Sequence, residues 1–368
     1  MGLHQNRNGL FNMCDNGLVQ LSHCPSFDCR PIAYVDKHAS GANNGTTPED
    51  AYTDIQTAID NDPKKEILIQ GYGESDCYPA GIVLADCVYL HGVDSVWIDC
   101  EDSNYAVRGN EVVNGTVVHE WTTQIDGINV KNSPSAILYI LGNIYNCEVK
   151  NITDSSYHNG GFYSCYGVIE NCSVHTGGSI DDRYRYYGFF ECAAAFKNCH
   201  VYDIMGACVG FERYLSADNC SCKRIGILYS HLLDRRVASL GFSNGGLVGR
   251  DLIIIDCVVE DCEYGFNFGS FGCTTSATNC TTTRGYIGVS VCGDTTLLDV
   301  SSTAMLRYGF KVTQDYGDML FINCSASSQS CGYYLNNTVA IPEFINCNDG
   351  GCLEPDSWDC GNGRCASV

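Results

Sequence analysis

The chain has 368 residues and carries 43 acidic against 21 basic side chains, a formal net charge of -22. That charge argues against nucleic acid, whose binding is dominated by Lys and Arg contacts to phosphate. It also disfavours polyanionic glycans unless a local basic patch overrides the global field, and leaves neutral glycans, protein partners and cations open. Charged residues make up 17%, Gly numbers 39 and Pro only 8, which is a globular composition and not a disordered one.

The first segment, residues 1–33, has no apolar stretch of the kind a signal peptide carries. Two expectations follow. Either a leader has been removed, or the protein is made in a cytoplasm and leaves by another route, such as lysis. This segment holds Cys14, His23, Cys24 and Cys29. These are proper zinc ligand types, but their spacing matches no standard ribbon or finger. A packed attachment segment is the preferred expectation over a zinc site or disulfides. No apolar run reaches the length of a membrane span, and the longest, Leu252 to Val259, is broken by Asp256. Membrane insertion is not expected.

Residues 34–60 read YVDKHASGANNGTTPEDAYTDIQTAID. A strand is expected at the start, then a Gly/Asn loop, then a short amphipathic helix begun by Thr53 or Asp54 with Ile55, Ala58 and Ile59 as its apolar face. ILIQGYGES (67–75) supplies the first full strand.

From there the chain repeats. IYNCEV (Cys147), IENCSV (Cys172), FKNCHV (Cys199), ADNCSC (Cys220), IIDCVV (Cys257), ATNCTT (Cys280), FINCSA (Cys324) and FINCND (Cys347) align on one Cys, in steps of 25, 27, 21, 37, 23, 44 and 23 residues. The longest step splits if Val300 takes the Cys position. Upstream, Gly127 and Cys100 fit the same slot, and Cys87 opens the series. Cys165, Cys192 and Cys273 each sit seven residues before a main Cys. Gly followed by an aromatic also recurs: GGFY, YGFF, VGFE, YGFN, YGFK and CGYY.

A period of roughly 20–27 residues with β-rich pieces signals a solenoid. The Leu pattern of leucine-rich repeats is absent. The expectation is an all-β, single-stranded right-handed parallel β-helix of about eleven coils with a short N-terminal capping helix. Asn tolerates the left-handed conformation of a tight corner, and Cys buries well as a small hydrophobe. The repeat therefore reads as corner Asn or Asp beside an interior ladder of reduced thiols. Stacked Cys on adjacent coils pair awkwardly into disulfides, because their Cβ vectors run parallel. The sequons at Asn171, Asn219, Asn279 and Asn323 are by-products of this unit. The expected organisation is an attachment segment (1–33), a first strand with capping helix (34–75), the β-helix (76–350) and a C-terminal cap (351–368).

Segment 34–60 and the coils together resemble the pectin-lyase-like right-handed β-helix superfamily, and most of all its phage tailspike and virion members. The resemblance implies the fold and says nothing specific about activity. In enzymes of that superfamily the site lies on the outer face of a sheet walled by long corner loops. Here two coils are enlarged, at 175–187 (HTGGSIDDRYRYY) and within 226–249 (YSHLLDRRVASLGFSNGG). A groove between them is expected to present Asp181, Asp182, Arg183, Asp234 and Arg235 as candidate catalytic groups. Glu191, Arg185, His231 and Arg236 stand nearby, and Tyr184, Tyr186 and Tyr187 are candidate sugar platforms. Paired carboxylates suit an inverting glycosidase, and a base beside a uronate suits β-elimination. The bland reading is that these Asp-Arg pairs only tie the loops down. The pectin-degrading hydrolase pattern is missing, since Asp181-Asp182 has no G-H-G after it.

The preferred expectation is a phage virion structural protein of tailspike, fibre or decoration type, on a virion or extracellular surface. It would be a homotrimer contacting a cell-surface glycan, and residues 1–33 would dock it to other virion proteins. The alternatives are a polysaccharide lyase or glycoside hydrolase, and a bacterial surface adhesin. No cofactor is expected beyond the conceivable zinc at residues 1–33.

Overall fold

The computed structural model describes residues 31–348 apart from 64, 86, 102, 110–111, 114–115, 118–122, 154–158, 179–184, 227–238, 245–250, 270–273, 314–316, 329 and 337–341. It also describes the backbone of Met13–Cys14, Gly17–Leu18 and Gly363–Cys365. The architecture is a right-handed parallel β-solenoid of about ten turns with a single short helix. The chain divides into two compact units, one of residues 1–150 with 162–172, the other of 151–161 with 173–368.

In the first unit, Ile32–Val35 pairs in parallel with Glu66–Gln70, which pairs with Tyr89–Asp99, which pairs with Thr123–Ser133. The helix is Ile55–Asn61. It begins where expected: the Asp54 carboxylate accepts the Thr57 N–H at 2.7 Å, satisfying a helix-start donor. Ile55, Ala58 and Ile59 are buried and pack on Ile32–Val35, Glu66–Gln70 and Ile82–Val83, closing the first coil.

In the second unit each full coil has three strands, and like strands stack into three rows. Row one runs from Ala194–Lys197 through Ser216–Asp218 and Leu252–Ile255 to Glu343–Ile345. Row two runs from Ser173–Gly177 through His200–Ile204 and Ser221–Ile225 to Ser325–Ser328. Row three comprises Arg185–Phe190, Ala207–Glu212, Leu240–Ser243, Tyr264–Gly269, Ile287–Cys292, Tyr308–Thr313 and Cys331–Asn336. Gly363–Cys365 pairs antiparallel with the last of these and covers its edge.

The corners follow one chemical rule. A residue in the left-handed region turns the chain, and the next residue points inward. In the second unit the row-one corner uses Asn198, Asn219, Asp256, Asn279, Asp299, Asn323 and Asn346, all with φ between 50° and 54°. Their side chains join coil to coil: Asn219 Nδ2 donates to Asn198 Oδ1 at 2.7 Å, Asn279 to Asp256 at 2.5 Å and Asn323 to Asp299 at 2.9 Å. In the first unit Asn171 donates to Asn146 at 3.1 Å and Asn146 to Asp126 at 2.8 Å. The following residue is Cys in most coils. Its thiol donates to the carbonyl two residues back, as from Cys220 to Asp218 at 3.3 Å and from Cys257 to Ile255 at 3.2 Å. Cys is thus small enough for the interior and still answers an inward-facing corner carbonyl. Val300 fills the slot in the coil that lacks Cys, buried at 1% exposure.

The other corners reuse the device. Glu191 then Cys192 mark the corner after row three, and Asp261 then Cys262 the corner after row two; in the first unit Ser164 then Cys165 follow the same pattern. Burial pushes the Cys262 and Cys324 thiols up to about 12, so they stay protonated. Cys257 hydrogen-bonds with the thiols of Cys220 and Cys280 and is held protonated by them.

Three upstream assignments need correction. The register sets Asp126 against Tyr145, so Gly127 (φ 67°) lies under Asn146 and not under Cys147; Ile128, fully buried, has the Cys place. Asp99 pairs with Lys131, which puts Cys100 at the corner beyond the one that Gly127 turns. Cys87 does not open the ladder: it is itself left-handed, at φ 61°, and is disulfide-bonded, as is Cys331. The other sixteen cysteines among the described residues are free thiols.

Two measurements check this account. Under denaturation without reductant, mass spectrometry should find the ladder cysteines 147, 172, 199, 220, 257, 280, 324 and 347 alkylated, and Cys87 and Cys331 labelled only after reduction. Asn219→Gly keeps the corner conformation and loses only the amide rung, which should cost about 1 kcal/mol in urea unfolding. Asn219→Val loses both and should cost about 2 kcal/mol or more.

Candidate functional site

Row three of the second unit is where the sequence departs from simple alternation. The strands read Tyr187-Gly188-Phe189-Phe190, Val209-Gly210-Phe211-Glu212, Leu240-Gly241-Phe242-Ser243, Tyr264-Gly265-Phe266-Asn267, Ile287-Gly288-Val289-Ser290, Tyr308-Gly309-Phe310-Lys311 and Cys331-Gly332-Tyr333-Tyr334, aligned in register. The third position faces inward. Phe189, Phe211, Phe242 and Phe266 stack ring on ring at 4.6 to 5.2 Å, and Phe310 stacks on Tyr333 at 4.9 Å. The glycine faces inward too. A Cβ on Gly188 would lie 2.4 Å from Val201 Cγ2, and one on Gly210 would lie 2.2 Å from Cys222 Sγ. Two consecutive inward residues bend the strand, so the first and fourth positions both face out. Tyr187 and Phe190 accordingly stack on each other with centroids 4.0 Å apart.

This outward face is largely withdrawn from water. Val209, Ser243, Ile287, Ser290, Tyr308, Cys331 and Tyr334 are all buried, with 1–9% exposure. Outward residues of row one such as Ile253 and Ile255 are 46% and 38% exposed. Within the covered face the fourth position forms a mostly polar column: Phe190, Glu212, Ser243, Asn267, Ser290, Lys311, Tyr334. The Glu212 Oε2 atom has essentially no solvent contact. Glu263, just before the Tyr264 strand, is 6% exposed. Its N–H donates to Ser239 Oγ at 3.0 Å, and its carbonyl accepts from the N–H groups of Tyr286 and Ile287 at 2.9 Å. Burial and the Glu263 charge push the Tyr264 hydroxyl up. At the adjoining corner Arg213 makes an ion pair with Glu191. Carboxylates removed from water beside hydroxyls and amides can donate or accept protons in an acid–base step.

The candidates from sequence fall in three groups. Asp181, Asp182, Arg183, Tyr184, His231, Asp234, Arg235 and Arg236 lie outside the described residues, as do His23, Cys24 and Cys29. Cys14 is described by its backbone alone, and so is Arg185, which opens the first row-three strand. Tyr186 is corrected: it is 1% exposed, so it offers no face to a sugar. Tyr187 is on the outward face. Segment 175–187 runs into Arg185–Phe190, segment 226–249 contains Leu240–Ser243, and Ala207–Glu212 lies between those two strands in the sheet. Glu212 and Lys311 were missed, although both occupy the position after the aromatic in the Gly-aromatic repeat. Among the described residues no group of His, Cys, Asp and Glu could hold a metal ion, and no helix is long and apolar enough to cross a membrane.

A second charged cluster lines the corner after row two. Arg224 pairs with Asp203 at 2.5 Å, Arg284 with Asp261 at 2.7 Å, and Lys223 and Arg284 both with Glu260. These pairs tie successive coils at a solvated edge and leave no group to react.

No family model matches the chain, and no curated protein matches it. Among solved structures it is similar to the crystal structure of a GH136 lacto-N-biosidase from Eubacterium ramulus, with 13% identity and a TM-score of 0.41, over 85% of this chain and 68% of that one. At that distance the likeness carries no argument about activity.

The row-two corner gives a pH prediction. The Asp203 and Asp261 carboxyls are held below the ordinary carboxylate range by hydrogen bonds from Arg224 and Arg284, and Glu260 by Lys223 and then Arg284. Carboxyls depressed in the fold add stability above their unfolded pKa and lose it as pH falls through the folded value. Urea midpoints should therefore fall below about pH 4, and Arg284→Met should flatten that fall while changing the midpoint at pH 7 only modestly.

Proposed function

We propose that this chain is a glycan-acting enzyme of the glycoside hydrolase or polysaccharide lyase kind, working on the outward face of row three. One observation carries the reading. A sheet face is withdrawn from water yet keeps a column of polar side chains, Glu212 among them, beside the aromatic pair Tyr187–Phe190. A face that sets hydroxyl, amide and carboxyl groups beside aromatic rings suits a ligand that offers both polar and apolar surface. Sugars present both hydroxyls and apolar ring faces, and aromatic rings match the latter. The net charge of -22 favours a glycan that is mainly neutral. Glu212, on the strand between those that take in segments 175–187 and 226–249, is the candidate acid or base. The same face would serve a depolymerase borne on a virion. Nothing among the described residues favours the fibre, decoration or adhesin readings over it.

Incubation with a glycan panel, followed by reducing-end release and by absorbance of unsaturated uronate, tests this. Turnover of at least one glycan is expected, with the absorbance separating elimination from hydrolysis. Glu212→Gln should lower kcat by about 10²–10⁴-fold with the far-UV spectrum unchanged. A Glu212→Gln variant as active as the parent, or a panel left intact by the unmodified chain, would overturn the proposal.

A further inference from the structure

The covered face carries one charge that the acid–base reading does not use. Lys311 lies in the outward column between Ser290 and Tyr334 and is only partly exposed. Its Nζ lies 6.0 Å from the centroid of the Tyr308 ring, and it feels the charge of Arg307. The Arg307 guanidinium sits over Tyr308 at 4.9 Å and over Tyr286 at 5.7 Å, and donates to the Tyr286 hydroxyl at 3.0 Å. Tyr308 stacks on Tyr334 at 4.4 Å, so the aromatic floor is fixed.

Lys311 differs from five other lysines in what faces it. Lys37 stands against Asp76, Lys65 against Asp62, Lys131 against Asp99, Lys150 against Glu74 and Lys223 against Glu260. Among the described residues no carboxylate pairs with Lys311, in a chain where acids outnumber bases 43 to 21. It faces another cation instead. Burial first, and Arg307 second, push its pKa down. An anion meeting Lys311 would offset the repulsion from Arg307.

We infer that Lys311 and Arg307, beside the partly exposed Tyr286 ring, form a subsite for the carboxylate of an acidic sugar residue. The inference rests on the glycan-acting reading for its ligand class but not on turnover. The two cations take the carboxylate, and the Tyr286 ring flanks the sugar. An otherwise neutral glycan would thereby be selected by one acidic unit, and the unfavourable field of the whole protein is offset locally.

Titration calorimetry of the intact chain with glucuronate, glucose and inorganic phosphate tests it without any enzymatic readout. Glucuronate should bind at least tenfold more tightly than glucose. Lys311→Met should weaken glucuronate about tenfold or more without changing glucose, and Lys311→Arg should restore most of the loss. Unfolding midpoints confirm that both variants fold. Equal binding of glucuronate and glucose, an unaffected Lys311→Met, or phosphate binding as tightly as glucuronate would each overturn the inference. Loss of turnover in Glu212→Gln with glucuronate binding retained leaves it standing, so the two proposals fail separately.

Discussion

Everything in this fold depends on the left-handed corner residue. Parallel strands from successive coils stay in register only if each coil turns at the same place with the same backbone geometry. For an L-residue that geometry costs about 1–2 kcal/mol, and a solenoid meets the cost at every corner. Asn and Asp lower it by hydrogen bonding locally, and here their side chains also bond the equivalent residue one coil away. One net hydrogen bond, worth roughly 1 kcal/mol, thus recurs along the stack. The cysteine that follows completes the corner from inside by taking up a carbonyl the turn leaves facing the core.

This explains why the architecture was legible in the sequence. Asn-Cys marks a conformation and a burial state at once, so aligning on it aligns the coils. The reading failed where that link loosens. Gly127 adopts the left-handed corner without help from a side chain, so it belongs in the Asn place and not the Cys place. Cys100 is buried at a different corner that uses the same Cys chemistry. Cys87 carries a disulfide, which spacing cannot reveal because it depends on a distant partner.

The site was less legible, for a physical reason. Insertions draw attention because they break the period, and Asp181, Asp182, Asp234 and Arg235 were chosen on that ground. Repeats draw attention to what is constant, which in row three is Gly and an aromatic. A functional residue built on a repeat sits at a position that is constant in geometry and variable in chemistry. The place after the aromatic holds Phe190, Glu212, Ser243, Asn267, Ser290, Lys311 and Tyr334 in turn. That variation reads as noise until the bend is known.

The bend itself ties packing to the face on which chemistry is proposed. A strand that alternated strictly would send only every second residue outward. Placing glycine and then an aromatic inward fills the interior with a stacked column of rings, which needs the room that a missing Cβ leaves beside Val201 or Cys222. The same step throws the fourth residue out beside the first, close enough for Tyr187 and Phe190 to stack and for Lys311 to lie over Tyr308. Side chains that would have been separated along a flat strand become neighbours on the covered face. A substitution at the fourth position therefore changes the chemistry of the covered face without entering the inward column.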